Sequence, residues 1–110
     1  MVRRWHRDLE EDQMPIKVII EFQAKPGKRA ELRSLLGSIA ATHGPGAPGF
    51  LGSTMYEALD SAGGLIEIAE WESAEAQAAA VEKATATGIY APVIELAAAP
   101  FRATRISQPA

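Results

Sequence analysis

From Ile16 the chain alternates. Ile16, Val18, Ile20 and Phe22 fall on one side of an extended segment that reaches Ala24, and Ile19 sits between Lys17 and Glu21 on the other. This pattern predicts a strand with apolar character on part of both faces. Lys25-Pro-Gly-Lys28 breaks it, and Leu32, Leu35, Leu36, Ile39, Ala40 and His43 then recur at spacings of three and four. Those spacings predict an amphipathic helix that stops at Gly44, with Gly37 in its interior costing up to about 1 kcal/mol relative to alanine. A second strand is expected from Phe50 to Ala58, setting Phe50, Gly52, Thr54 and Tyr56 against Leu51, Ser53, Met55 and Glu57. Asp60-Ser-Ala-Gly-Gly64 is the turn into a third strand, Gly64-Leu-Ile-Glu-Ile-Ala-Glu-Trp71, on which Glu67 and Trp71 share a face because side chains alternate with period two. Ser73 is a good N-cap for a helix from Ala74 to about Ala84, with Glu75 in its first turn. Thr85-Ala-Thr-Gly88 interrupts that helix, residues 89–99 read as a short helical stretch kinked by Pro92, and Phe101 to Ile106 is the fourth strand.

The resulting order, βαββαβ, defines an α+β class: a ferredoxin-like, four-stranded antiparallel sheet with helices on one face. If Glu67 and Trp71 point toward the helices, Ile19, Ile66 and Ile68 lie on the bare face. A bare apolar face favours a homodimer formed sheet on sheet. The folded unit is expected over residues 14–107, after a flexible leader at 1–13 whose basic and then acidic residues have no periodic apolar face, with a short tail at 108–110.

Composition narrows the chemistry. The 110 residues suffice for one domain, and a formal charge of −3 with no basic run beyond the leader leaves no nucleic-acid footprint. Having no cysteine, the chain cannot form disulfides, thiolate nucleophiles, iron–sulfur clusters or zinc–cysteine sites. No apolar run approaches the length of a membrane span and no signal-peptide core is present, so a cytoplasmic protein that does not enter membranes is expected. With His6 and His43 as the only histidines, and no carboxylates at ligand spacing, no metal site is expected.

The candidate chemistry centres on Glu67 and Trp71. An indole offers stacking area to a flat aromatic molecule, and a carboxylate beside it can take a proton. The plainer alternative makes Glu67 a rim carboxylate paired with Arg102 or Arg105, and Trp71 ordinary core. His43, in the last helical turn, reads first as a helix-end residue and second as an alternative base. Tyr56 and Tyr90 are candidate hydrogen-bond donors to a bound oxygen substituent, or else interface and core aromatics, and Phe22 is a candidate wall. Gly44-Pro-Gly-Ala-Pro-Gly49 matches the letters of a dinucleotide fingerprint, but it follows a helix and opens a strand. That is the reverse of the required context, and the prolines remove amides, so the segment reads as a helix stop and loop. Glu70 and Glu72 alternate to the opposite face. The alanines at 76 and 78–80 either widen the space beside the sheet or simply favour helix.

Three segments in this order, Lys25-Pro-Gly-Lys28 after the first strand, Pro48-Gly-Phe50 opening the second and Glu70-Trp-Glu-Ser73 closing the third, resemble the antibiotic biosynthesis monooxygenase family over residues 15–107. The resemblance implies a dimeric α/β barrel and an oxygenase that converts quinols, phenols or anthrones to quinones with O2 and no cofactor. It implies that Trp71 lines the pocket. Where the anthrone oxygenases place an asparagine, this chain has Glu67, which can remove a proton as an amide cannot. The haem-degrading branch needs an asparagine on the first strand and a histidine after the tryptophan, and this chain has neither. The resemblance also leaves open a non-catalytic small-molecule-binding or dimerisation module of the same fold, and an oxygen-independent cyclase or isomerase.

Overall fold

A computed structural model describes residues 14–109; the proposed leader lies outside the described residues. The elements run β1 (Ile16–Gln23), α1 (Arg29–His43), β2 (Phe50–Glu57), β3 (Gly64–Trp71), α2 (Ala74–Thr87), α3 (Ala91–Leu96) and β4 (Arg102–Ile106). The strands form one open antiparallel sheet in the order β2-β3-β1-β4. This is the expected ferredoxin-like arrangement.

The two central strands carry the core. Val18 and Phe22 of β1 and Leu65 and Ala69 of β3 are buried, and β1–β3 register pairs Ile16 with Trp71, Val18 with Ala69, Ile20 with Glu67 and Phe22 with Leu65. Cross-strand partners share a face, so these residues form a single surface under the helices. Leu32 and Leu36 of α1 and Val93 of α3 complete the core cluster with Phe22, Ala24 and Leu65. The edge strands are little covered: every residue of β4 is exposed. On the opposite side of the sheet, Ile19, Ile66 and Ile68 are half-buried and Tyr56 is half-exposed, as expected for a face without a helix layer.

Three local expectations change. The second helix does not stop at Ala84 but runs to Thr87, because an isolated threonine costs a helix only a few tenths of a kcal/mol and the Thr87 hydroxyl donates to the carbonyls of Lys83 and Ala84. Gly88, at φ 69°, ends it in the left-handed conformation that glycine adopts without steric cost. Pro92 does not kink a longer helix but sits in the first turn of the six-residue α3, where its missing amide breaks no intrahelical bond.

The third change concerns β2. Phe50 pairs with Trp71 but Gly52, two residues on, pairs with Glu70, so Leu51 is an extra residue and the alternation slips by one. This is a β-bulge, and Gly52 at φ 144° supplies backbone that other residues rarely adopt. Beyond the bulge, Ser53 and Met55 face the helices, opposite Ala69 and Glu67, while Tyr56 turns to the bare face opposite Ile66. The strict alternation that put Phe50 and Tyr56 on one face is thereby corrected.

The β2–β3 connection is held from α1. Arg29 donates from one guanidinium nitrogen to the carbonyls of Ala58 (3.2 Å) and Ser61 (2.9 Å), and its Nε lies 3.6 Å from Glu57. Replacing Arg29 by alanine is expected to cost about 1–2 kcal/mol and to speed amide hydrogen exchange at Ala58 and Gly64, the residues that close this turn by backbone hydrogen bonds. Unchanged exchange at those two amides would show that the turn holds itself.

Candidate functional site

Trp71 ends β3 and is half-buried, its ring edge-on to Phe50 with centroids 5.1 Å apart at 64°. Phe50 reaches it because the two residues are directly paired across the strands before the bulge. Four residues back, about 13 Å along the strand, Glu67 projects from the same face. Its cross-strand neighbours are Ile20 on β1 and Met55 on β2, both apolar. Ala69, buried between Glu67 and Trp71, adds no polar group.

This setting has an electrostatic consequence. Burial raises the Glu67 pKa above the ordinary carboxylate value of 4.5, because the charged form loses hydration, and a hydrogen bond from the Ser53 side chain opposes the rise. Tyr90, the residue immediately before α3, is raised as well, first by its own burial and then by the charge of Glu67. Its phenol therefore stays protonated at neutral pH and remains a donor. Tyr90 is oriented by Phe101, with ring centroids 5.5 Å apart, and Phe101 in turn lies 5.4 Å from Phe22. Among the described residues no salt bridge involves Glu67, so the alternative of a rim carboxylate paired with Arg102 or Arg105 does not hold. Arg102 is across from Glu21, and Arg105 is across from Val18, one strand removed from β3.

The structure thus sets Glu67 and Trp71 on the helix-covered face of β3, about 13 Å apart, puts Tyr90 within range of the Glu67 charge, and buries Phe22 against Phe101, which also packs on Tyr90. It does not bring in Tyr56, which the bulge sends to the other face, nor His43, which is exposed in the last turn of α1, past the buried Leu32 and Leu36. A helix that continues beyond its buried stripe leaves its last side chains in water. Ser53 is the residue that the alternation pattern missed, and the Leu51-Gly52 pair is the only sequence sign of the slip that places it. Two surface depressions lie elsewhere. One, of about 330 Å³, is lined by Phe22, Gln23, Ala58, Ser61, Gly64 and Arg102. The other, of about 310 Å³, opens mainly on the bare face and is lined by Lys17, Gly52, Thr54, Tyr56, Ile68 and Glu70, with the edge-strand residue Ser53 at its border.

Among the described residues no three histidine, aspartate or glutamate side chains cluster. In the glycine–proline loop Ala47 donates to Gly44 and Phe50 to Ala47, so these two amides are engaged within the loop. No described helix is long and apolar enough to cross a membrane.

No curated protein sequence matches the chain. Solved structures do. SnoaB, a cofactor-independent oxygenase from Streptomyces nogalater, is 18% identical with a TM-score of 0.74, covering 88% of this chain and 95% of that one. Rv0793 from Mycobacterium tuberculosis is 25% identical with a TM-score of 0.72, covering 87% and 96%. A conserved protein from Methanosarcina mazei Go1 is 17% identical with a TM-score of 0.75, covering 92% and 99%. Similarity at such identities establishes the fold. The sequence model for antibiotic biosynthesis monooxygenases goes further, matching residues 15–88, from the start of β1 through Trp71 to the glycine that ends α2. Because that match spans well over half the chain and takes in all but α3 and β4 of the fold just described, the chain belongs to the antibiotic biosynthesis monooxygenase family.

Proposed function

We propose that the protein is a cofactor-independent monooxygenase that oxidises an activated aromatic compound, a quinol, phenol or anthrone, to a quinone with O2. One observation carries the reading: a half-buried carboxyl with a raised pKa, Glu67, shares a sheet face with the indole of Trp71 and lies within electrostatic range of the phenol of Tyr90. Family membership and the likeness to SnoaB support it.

The roles follow from the chemistry of these groups. Glu67 in its ionised form takes a proton from the substrate, and the raised pKa makes it a stronger base than an ordinary carboxylate. The resulting carbanion or phenolate is electron-rich enough to pass one electron to O2. Recombination forms a C–O bond, and protonation of the peroxide gives a hydroperoxide at a carbon that still carries hydrogen. With an anthrone or a phenol, loss of water leaves a carbonyl there, so one oxygen atom enters the product and the other leaves as water. A quinol, which already carries both oxygens, instead gives two electrons and two protons to O2 and releases hydrogen peroxide. Trp71 supplies a flat wall, and Tyr90 donates to the oxygen on which negative charge develops. Two copies pair through the bare sheet face, covering Ile19, Ile66, Ile68 and Tyr56, which closes the open sheets into an α/β barrel.

The test is oxygen consumption with a hydroxyanthrone or menadiol. With the hydroxyanthrone in 18O2, one labelled atom per product is expected, and Trp71→Phe should lower the rate about tenfold by loosening the wall. Product formed equally well without oxygen would point instead to a cyclase or isomerase. Saturable binding with no turnover would point to a binding module.

A further inference from the structure

Ser53 is exposed on the edge strand β2, yet its hydroxyl lies close enough to the half-buried Glu67 of β3 to oppose the rise in its pKa. The register explains how. Ser53 is opposite Ala69 and Met55 is opposite Glu67, so Ser53 and Glu67 are diagonal neighbours on one face, within reach of a hydroxyl and a long carboxylate. That face is available to Ser53 only because Leu51 is inserted and Gly52 adopts φ 144°. An unbroken alternation from Phe50 would have turned Ser53 away and brought Thr54 and Tyr56 in.

We propose that Ser53 is a positioning residue for Glu67: its hydroxyl tethers the carboxylate from the neighbouring strand, and the bulge at Leu51–Gly52 is the device that delivers it. Glu67 has no cationic partner among the described residues and lies between the apolar Ile20 and Met55, so this hydroxyl is the polar group that restrains its charge. The other groups facing Glu67 cannot substitute for it. Ile20 and Met55 are apolar, and the buried residues of α1 and α2 that face the sheet, Leu32, Leu36, Gln77 and Ala84, carry no charge. Glu57, next along β2 on the same face, is engaged by Arg29 and Arg33 at 3.6 and 3.2 Å. Tyr90 is the remaining titratable neighbour, and its phenol is neutral over the range in which a carboxylate titrates. Because Ser53 is exposed, it also lies where a proton held by Glu67 can pass to water.

This inference rests on the assignment of Glu67 as the base, and its test separates the two. The Glu67 carboxyl is titrated by NMR in the whole protein and in Ser53→Ala, Ser53→Thr and Thr54→Ala, alongside the pH profile of oxygen consumption. In Ser53→Ala the Glu67 midpoint is expected to move to higher pH, in Ser53→Thr to stay near the parent, and in Thr54→Ala, on the other face, not to move. The rate at neutral pH should fall about tenfold in Ser53→Ala, the worth of one hydrogen bond to a charged group. A shifted midpoint with an unchanged rate retains the tether and overturns the role of Glu67 as base. An unshifted midpoint in Ser53→Ala overturns the tether, whatever the rate does.

Discussion

In Glu67→Gln, turnover is expected to fall by about two to four orders of magnitude, the usual contribution of a positioned general base, while the protein becomes harder to melt near neutral pH. Both effects have one source. Glutamine keeps the shape of the side chain but cannot take a proton, so the chemical step loses its acceptor. It also cannot ionise, so the fold no longer has to hold a carboxylate away from water. The sign of the second effect follows from linkage. Burial raises the Glu67 pKa above that of the unfolded chain, so the unfolded chain releases this proton first as pH rises. The favourable contribution of the protonated side chain is complete below the unfolded value, near 4.5, and is lost as pH climbs through the higher folded value. Glutamine avoids that loss. The melting temperature of Glu67→Gln should therefore match the parent in acid and exceed it increasingly above the ordinary carboxylate range. In the parent the rate should rise with pH across the same window, as Glu67 ionises, and Gln should abolish that limb. Equal rates for parent and variant at all pH values would remove Glu67 from the mechanism, and equal melting curves at neutral pH would contradict its burial.

Leu32→Ala should cost about 2–5 kcal/mol of stability. Leu32 has no exposed surface and belongs to the cluster that joins α1, through Leu36, to Phe22 and Leu65 of the central strands and Val93 of α3. Removing its branched end leaves a cavity bounded by three separate elements, which a rigid sheet and a helix pinned by Arg29 cannot easily close. A domain of this size is stable by about 5–15 kcal/mol in total, so one substitution consumes a large fraction of it. Urea titration should show a lower midpoint with an unchanged slope. Leu51→Ala provides the contrast: the side chain is 53% exposed on the bulge, and its loss should change stability by less than about 0.5 kcal/mol. Comparable losses in the two variants would mean that the core does not lie between α1 and the central strands.

Much of this arrangement was legible from residue order. The alternation through Ile16, Val18, Ile20 and Phe22, the three-and-four spacing from Leu32 to Ile39, and Ser73 as a cap identify elements correctly because each depends on local geometry and on which side chains leave water. The sharing of one face by Glu67 and Trp71 was equally legible, since it needs only an unbroken strand, and β3 is one. The errors occur where a neighbour decides. The bulge in β2 depends on how that strand pairs with β3, and it reversed the placement of Ser53 and Tyr56. His43 keeps the helical spacing but is exposed in the last turn of α1, where three-and-four spacing alone does not bury a side chain.

The sequence by itself determined the element order, the sheet-and-helix class and the pairing of an acid with an indole, because period and composition are properties of the chain alone. Only the tertiary structure decided that Ser53 rather than Tyr56 shares the face of that acid, and that Tyr90, beyond α2 in the chain, lies within range of its charge. The reason is physical. Which groups meet depends on strand register and on the docking of α3, and those are set by contacts between residues far apart in sequence, where one inserted residue turns every later side chain to the other face.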